Sequence, residues 1–171
     1  MTMPLPINSD QLHTISLLVA NKPGVLLRIC LVFARRAYNI ESLVVSPAFD
    51  GKFSRMTITA SGDKKILGQI IKQCGKLIDI VHASEHNPNN CVVKEIALVK
   101  IKANQKNRQE VLQIIQHFNA QTLDLAPDSI IIQVTGNSDK IDACLELLKS
   151  HDILELVRSG KLAMTRGLKS T

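Results

Sequence analysis

The sequence predicts an α+β protein made of two tandem ferredoxin-like βαββαβ domains. Apolar or alternating runs of strand length take turns with longer runs whose apolar residues recur at helical spacing. This order occurs once before and once after Asn87-Pro88-Asn89-Asn90, the strongest turn-forming segment inside the chain. The predicted divisions are a flexible lead-in at 1–11, a first domain at 12–86, a linker at 87–91 and a second domain at 92–167.

The first half of the chain shows the pattern most clearly. We predict strands at 13–20, 39–46, 53–60 and 77–84, and helices at 25–36 and 63–75. The first helix places Val25, Leu26, Ile29, Val32 and Phe33 on one face. The second has an apolar stripe of Ile66, Leu67, Ile70, Ile71 and Cys74. Asp63 is the expected N-cap of that helix, and Asp50-Gly51 the expected hairpin turn.

The second half repeats the order. Strands are predicted at 92–103, 121–125, 129–135 and 153–157, with helices at 107–118 and 138–150. In this fold both helices cover one face of a four-stranded antiparallel sheet, so the edge strands stay open. Open edges are normally paired or covered, and we therefore expect the chain to form a homodimer.

Composition excludes several classes of protein. Aromatic residues make up 3% of the chain against 45% apolar residues, so the cores are aliphatic. No stretch approaches the ~20 apolar residues of a membrane span, and the N-terminal segment lacks the features of a leader peptide, so we expect a cytoplasmic protein. The four cysteines show no Cys-x-x-Cys spacing and are expected to be reduced. The net charge of +6 is spread along the sequence, which favours a solvated surface over nucleic-acid binding.

We find no pattern for catalysis or metal binding. Residues 53–59 carry one aromatic residue, which is too few for base stacking by an RNA-binding sheet. His82, His86 and Cys91 lack the spacing of a metal site, and we interpret both histidines as surface or loop residues. There is no Gly-x-Ser-x-Gly motif. We therefore expect no catalytic residue and no bound metal.

The loop after the first strand is the candidate binding site. Asn21, Lys22, Pro23, Gly24 and Val25 place a Pro and a Gly at the N-terminus of a helix. A helix N-terminus offers unpaired N–H groups to a carboxylate, and a glycine allows close approach of a ligand. An ordinary capped turn explains the same residues, so the pattern alone leaves both interpretations open.

Longer motifs point to a known family. Residues 17–26 resemble the opening of an ACT domain, the amino-acid-sensing version of this fold. Residues 36–43 (Arg-Ala-Tyr-Asn-Ile-Glu-Ser-Leu) and 54–58 are similar to the small subunit of acetolactate synthase. The resemblance continues at 95–101, 158–160 and 166–167, and so covers nearly the whole chain. It implies an N-terminal ACT domain followed by an ACT-like domain.

The resemblance also implies a function. The small subunit would be non-catalytic and would partner a catalytic large subunit that makes acetolactate and acetohydroxybutyrate for branched-chain amino acid biosynthesis. Thiamine diphosphate, Mg and FAD would bind only that large subunit. Valine, or another branched-chain amino acid, would inhibit by binding between the ACT domains of two chains. By matching motif, the effector-binding residues are Asn21, Lys22, Pro23, Gly24, Val25, Asn39 and Ile40. The chain departs from the pattern of the family that it resembles. Ala20 and Lys22 stand where that family often has acidic residues, Ala37 where it usually has glycine, and Asn119-Ala120 where it usually has Arg-Gly.

Two other hypotheses fit the fold. A free-standing tandem ACT sensor that controls transcription would explain two sensing modules, but no helix-turn-helix is evident and the match at residues 38–42 is left unexplained. An independent enzyme on this scaffold would need a catalytic constellation that the sequence does not offer.

Overall fold

The computed structural model describes residues 12–86, 88–168 and 171, and these form two compact units. The first unit contains the described residues up to Val92 together with those from Lys161 onward, and the second contains Val93–Gly160. The predicted lead-in lies outside the described residues. Each unit has the βαββαβ order that the sequence predicts, which confirms the fold class.

The first unit is a four-stranded antiparallel sheet covered by two helices. Its elements are β1 (Leu12–Ala20), α1 (Val25–Ala34), β2 (Asn39–Pro47), β3 (Phe53–Ser61), α2 (Lys64–Cys74) and β4 (Ile80–Glu85). The strand order is β2-β3-β1-β4, so β2 and β4 are the edges. The last strand begins at Ile80 rather than at the predicted Leu77, because the chain leaves α2 through a turn in which the Leu77 N–H donates to the Cys74 carbonyl.

Alternation along β1 and helical spacing along α1 build the core of this unit. Ile15, Leu17 and Val19 point to one face of the sheet, where Ile29 and Phe33 of α1 cover them. Two residues that were predicted on the buried helix faces, Leu26 and Ile66, are instead 41% and 38% exposed. Both residues lie beside the buried stripe of their helix. In α1 the buried residues are spaced four apart, so the buried stripe is narrower than the predicted apolar face.

Asp63 caps α2 as predicted, and Tyr38 packs against the same corner. The Asp63 side chain accepts a hydrogen bond from the Lys65 N–H at 2.6 Å. The Tyr38 hydroxyl donates to the Asp63 carbonyl, and the tyrosine ring lies over Gly62, whose φ is +144°. Burial raises the pKa of Tyr38, and the carboxylates of Asp63 and Glu85 raise it further. The phenol therefore stays protonated and remains a hydrogen-bond donor.

The second unit has the same layers. Its elements are β5 (Cys91–Lys102), α3 (Arg108–His117), β6 (Gln121–Leu125), β7 (Ser129–Gly136), α4 (Ser138–Leu148) and β8 (Ile153–Arg158), in the sheet order β6-β7-β5-β8. Its helices contribute Val111, Ile115, Ile141, Cys144, Leu145 and Leu148 to the core. A ninth strand, β9 (Leu162–Thr165), pairs with β5. The sequence does not predict it, because four residues are too short for a periodic signal.

An ion-pair network around the buried Glu95 gives a structural reason for the motif at the end of β8. Arg158 donates to both carboxylate oxygens of Glu95, at 2.9 and 2.8 Å, and to Asp142 at 2.6 Å. Glu95 is buried and also accepts a hydrogen bond from the Ser138 hydroxyl. The hydrogen bonds to Glu95 raise the pKa of Arg158. These bonds join β5, β8 and α4, so the Arg-Ser-Gly motif has a structural role within the second unit.

Residues after Gly160 group with the first unit, whereas the predicted domain bounds place 161–167 with the second. The Arg166 N–H donates to the Asn90 carbonyl at 2.8 Å, and the Thr165 N–H donates to the Thr171 hydroxyl at 2.7 Å. No helix among the described residues is long and apolar enough to cross a membrane.

The contact between Tyr38 and Gly62 predicts that Gly62→Ala lowers the free energy of unfolding by about 2–3 kcal/mol. A Cβ there would lie 2.5 Å from Tyr38 Cζ, and alanine disfavours the backbone angle. Thermal unfolding measures the change. The matched control is Gly68→Ala in α2, where a Cβ meets nothing within 4 Å, and where a gain of about 0.5–1 kcal/mol is expected. Equal effects at the two positions would contradict the packing argument.

Candidate effector-binding site

The loop between β1 and α1 is held against the hairpin that joins β2 to β3. The Asn21 N–H donates to the Lys52 carbonyl at 2.9 Å, and Asn21 Nδ2 donates to the Gly51 carbonyl at 3.1 Å. The side-chain amide of Asn21 therefore stabilises the loop through one of its two N–H groups, which leaves Oδ1 and the second N–H for other contacts.

The same loop presents the N-terminus of α1 to solvent. Residues 21–24 are exposed, and Gly24 is the N-cap residue of the helix with φ +83°. This left-handed conformation favours glycine, and a Cβ at Gly24 would meet nothing within 4 Å. The first turn of α1 contains no acidic residue, and no side chain caps the helix. The Val25 N–H donates only a long hydrogen bond, at 3.5 Å to the Lys22 carbonyl. The geometry therefore suits a carboxylate approaching the N–H groups near Val25.

Asn39 and Ile40 begin β2, where the pairing with β3 is irregular. The register shifts between Ile40 and Ser42, so Glu41 is the extra residue of a bulge. Glu41 Oε1 accepts hydrogen bonds from Asn39 Nδ2 and from the Ser61 hydroxyl, both at 2.7 Å. Asn39 is exposed at the edge of the sheet, whereas Ile40 is half-buried against the core.

The two parts of the predicted site lie at opposite ends of the sheet within one chain. Asn39 pairs with Ser61, which also pairs with the first residue of β1, whereas Asn21 follows the last residue of β1 beside Phe53. Eight residues of β3 separate these positions. At 3.3–3.4 Å per residue the separation is about 27 Å. The structure therefore brings Asn21–Val25 together and does not bring Asn39 to them.

Ala37 sets the direction in which the chain enters β2. Its φ is +52°, in the left-handed region, and the residues around it form the turn in which the Tyr38 N–H donates to the Phe33 carbonyl. Asn119 follows α3 at the equivalent place in the second unit with φ +49°. Asparagine tolerates this conformation better than alanine does. The backbone thus explains why the family pattern has glycine where this chain has Ala37.

One polar cluster was missed by sequence reasoning. His86 was interpreted as a surface or loop residue, but it is half-buried between the Ser16 hydroxyl at 2.5 Å and the Cys91 thiol at 2.8 Å. Burial lowers the pKa of His86, and Arg55 lowers it further. Single-sequence patterns cannot find this contact, because Ser16 lies 70 residues away on β1. His82 is exposed, as predicted.

The described ranges hold no group of three His, Cys, Asp or Glu side chains arranged for a metal ion. The four cysteines are free, and three of them are buried. Burial raises the pKa of Cys74 and of Cys144 to about 11. These thiols are therefore protonated near neutral pH and are poor nucleophiles.

The fold and the loop at α1 define a tandem protein of the ACT class. Residues 15–82 match the family model for the AHAS small subunit-like ACT domain, and residues 94–167 match the model for the small subunit of acetolactate synthase. The chain belongs to the acetolactate synthase small-subunit family, as the motifs predicted.

Individual relatives agree. A probable acetolactate synthase small subunit of Archaeoglobus fulgidus is 44% identical over 92% of this chain and 98% of its own length. The acetolactate synthase small subunit of Mycolicibacterium smegmatis is 38% identical over 94% of each chain. The crystal structure of the acetolactate synthase small subunit of Thermotoga maritima superposes with a TM-score of 0.83 at 35% identity, over 93% of this chain and 99% of that one.

The left-handed backbone conformation of Ala37 gives a testable prediction. Ala37→Gly is expected to raise the free energy of unfolding by about 1 kcal/mol, because relief of the left-handed conformation exceeds the added freedom of the unfolded chain. At this size the melting temperature should rise by about 2–4 °C. The control is Ala143→Gly, at an exposed position inside α4, where a loss of about 0.5–1 kcal/mol is expected. Destabilisation by both changes would show that Ala37 is not strained.

Proposed function

We propose that this chain is the regulatory subunit of acetolactate synthase in branched-chain amino acid biosynthesis. It stimulates a separate catalytic large subunit and confers feedback inhibition by valine. Thiamine diphosphate, Mg and FAD belong to the catalytic subunit, and this chain binds no cofactor. Membership of the small-subunit family supports the partnership. The observation that carries the sensing role is the exposed N-terminus of α1, where Gly24 leaves the backbone open to a carboxylate.

The effector site is formed by two chains. Asn39 lies about 27 Å from the loop of its own chain, so a second copy must supply it. Because β2 is an edge strand, it is able to pair antiparallel with β2 of another copy across a two-fold axis. Such pairing reverses the direction of the strand, so the Asn39 end of one copy lies beside the Pro47 end of the other. The loop at residues 21–25 is at that same end of the sheet.

The side of α1 away from α2 supports this homodimer. Leu26, Cys30 and Ala34 follow one another at four-residue spacing on that side; Leu26 and Ala34 are exposed and Cys30 is partly exposed. Arg28 marks the opposite side, since it pairs with Asp79 at 3.0 Å just after α2. An apolar stripe beside an open strand edge provides continuous surface for a self-complementary interface.

The ligand contacts follow from this geometry. The backbone N–H groups at Gly24 and Val25 bind the effector carboxylate, while Asn21 Oδ1 and the Asn39 side chain of the second copy hold its polar groups. Apolar side chains such as Ile40 surround the valine side chain. An apolar pocket discriminates one methylene by only ~1–3 kcal/mol, so leucine and isoleucine are weaker effectors.

Ligand binding to the separate chain is the first test. The melting temperature should rise with valine, leucine or isoleucine and with no other amino acid, because a ligand at ~100 times its dissociation constant adds ~2.7 kcal/mol. Asn39→Ala should abolish the rise by removing a polar contact. Glu155→Ala, an exposed change in the second unit, is the control. A rise with an unrelated amino acid, together with no stimulation of a catalytic subunit, would favour a free-standing sensor.

Mixed dimers test whether two chains share the site. Asn21→Ala and Asn39→Ala chains are each expected to lose valine binding by about tenfold or more. Mixing them creates hybrid dimers in which one site carries both changes and the other carries neither. Calorimetry should therefore recover tight binding in up to half of the hybrid sites. Failure to recover any tight binding, with hybrid formation verified by mass spectrometry, would place both residues in one chain's site.

Thiol labelling tests the interface. Cys30 is half-exposed in one chain, so it should react slowly with iodoacetamide in the dimer and faster in a Leu26→Glu variant that disrupts the stripe. Cys74 and Cys144 should stay unmodified at pH 8 in both proteins, because burial raises the pKa of each to about 11. Sedimentation measures the oligomeric state. If Cys30 is labelled at the same rate in a dimeric wild type and in a monomeric variant, the dimer interface does not cover Cys30.

A further inference from the structure

A groove of about 640 Å³ runs between α1 and α2 on the helical surface of the first unit. Its walls are apolar at the base and cationic at the rim. The lining residues are Val32, Arg35, Arg36, Ile66, Gln73 and Leu77. It lies on the α2 side of α1 and is therefore separate from the stripe that contains Leu26 and Cys30. A homodimer through that stripe leaves the groove accessible.

The fold gathers positive charge around this groove. The cations of the helical surface are Arg28, Arg35, Arg36, Lys64, Lys65, Lys72 and Lys76. Two carboxylates accompany them on residues 25–79 of this surface, and both have other partners. Asp79 pairs with Arg28, and Asp63 caps α2. The distribution of charged residues along the sequence does not reveal this cationic surface, because the two helices are 30 residues apart in the chain and adjacent only in the fold.

Among the described residues, the two arginines at the rim lack the carboxylate partners that Arg28 and Arg158 have. Arg158 is held by Glu95 and Asp142. Arg36 instead donates to the neutral amide of Gln69, and in the described part of the chain no carboxylate forms an ion pair with Arg35 or Arg36. A guanidinium is suited to bidentate binding of a carboxylate, so this pair offers a ready contact for acidic side chains.

We infer that the groove receives an acidic segment of the acetolactate synthase catalytic subunit, an inference that rests on the function proposed above. A large apolar side chain of that segment inserts between Val32, Ile66 and Leu77, and neighbouring carboxylates bind Arg35 and Arg36. The apolar base favours a protein segment over a nucleic acid, which would need aromatic side chains for stacking. None of the six lining residues is aromatic.

Charge reversal in the intact chain tests this inference. Binding of the full-length protein to the immobilised catalytic subunit is measured for Arg35→Glu/Arg36→Glu at several salt concentrations. We expect affinity to fall by at least about tenfold, with a weaker salt dependence than in the wild type. Lys102→Glu/Lys106→Glu changes the net charge equally at exposed positions of the second unit and should bind like the wild type. If the Arg36 change prevents folding, Arg35→Glu alone replaces the double variant, since Arg35 is exposed.

The outcomes separate the two proposals. Unchanged affinity in the arginine variant, or equal weakening in both double variants, would overturn the inference that the groove binds the catalytic subunit, while leaving the proposed regulatory function intact. Binding of a short RNA at physiological salt that is lost in the same variant would also overturn it, in favour of a nucleic-acid site. A wild-type chain that neither binds nor stimulates the catalytic subunit would instead overturn the proposed function.

Discussion

The length of the first sheet constrains everything that this chain does with a ligand. β3 is paired along its whole length with β1 on one side and β2 on the other. That pairing holds Asn39 at one end and the loop at residues 21–25 at the other, and neither can move toward the other without breaking the ladder. In the proposed function, a single chain therefore offers two incomplete halves of a site. Sensing would then require association of two chains, and occupancy of the site would report on how they are arranged.

Two buried polar groups of this protein, the Tyr38 hydroxyl and the Glu95 carboxylate, have partners inside their own unit, whereas the buried Thr59 hydroxyl has none among the residues that the structure describes. Tyr38 donates to Asp63, and Glu95 binds Arg158. Removing one member of such a pair leaves the other buried and unpaired, so these contacts maintain the fold. Arg35 and the four lysines of α2 and its C-terminal turn are exposed and form no ion pair within the described part of the chain, so their charge is available to another molecule.

The sequence predicted the order of the eight strands and four helices that define the two units, because local periodicity determines which segments bury a face. It predicted the cap at Asp63 for the same reason, since a cap depends on residues two or three positions away. Prediction from sequence failed where contacts between residues far apart in the chain determine which side chains are buried. Leu26 has the spacing of a core residue but lies outside the buried stripe of α1 and is exposed. His86 is ordered by Ser16, far away on β1.

The residues of the candidate site stay a prediction, and the sequence did not indicate how far apart they lie within one chain. Motif resemblance identified Asn21 and Asn39 together, and only the register of the strands shows that they lie at opposite ends. The role of Asn21 also needed the structure, because its amide donates to the hairpin carbonyl of Gly51. The grouping of residues after Gly160 with the first unit could not be predicted, because it depends on bonds such as that from Arg166 to Asn90.

Helix α1 joins the two proposed binding events. Its N-terminus meets the effector, and its C-terminal end carries Arg35 and Arg36 at the rim of the groove. A helix of ten residues is about 15 Å long and moves as a rigid body. If valine binding tilts α1 against the sheet, the spacing of α1 and α2 changes, and with it the width of the groove. By thermodynamic linkage, binding of the catalytic subunit then changes the affinity of the chain for valine by the same factor as valine changes its affinity for the catalytic subunit. The effector thus regulates without reaching the active site, because it selects the helix position that the partner recognises.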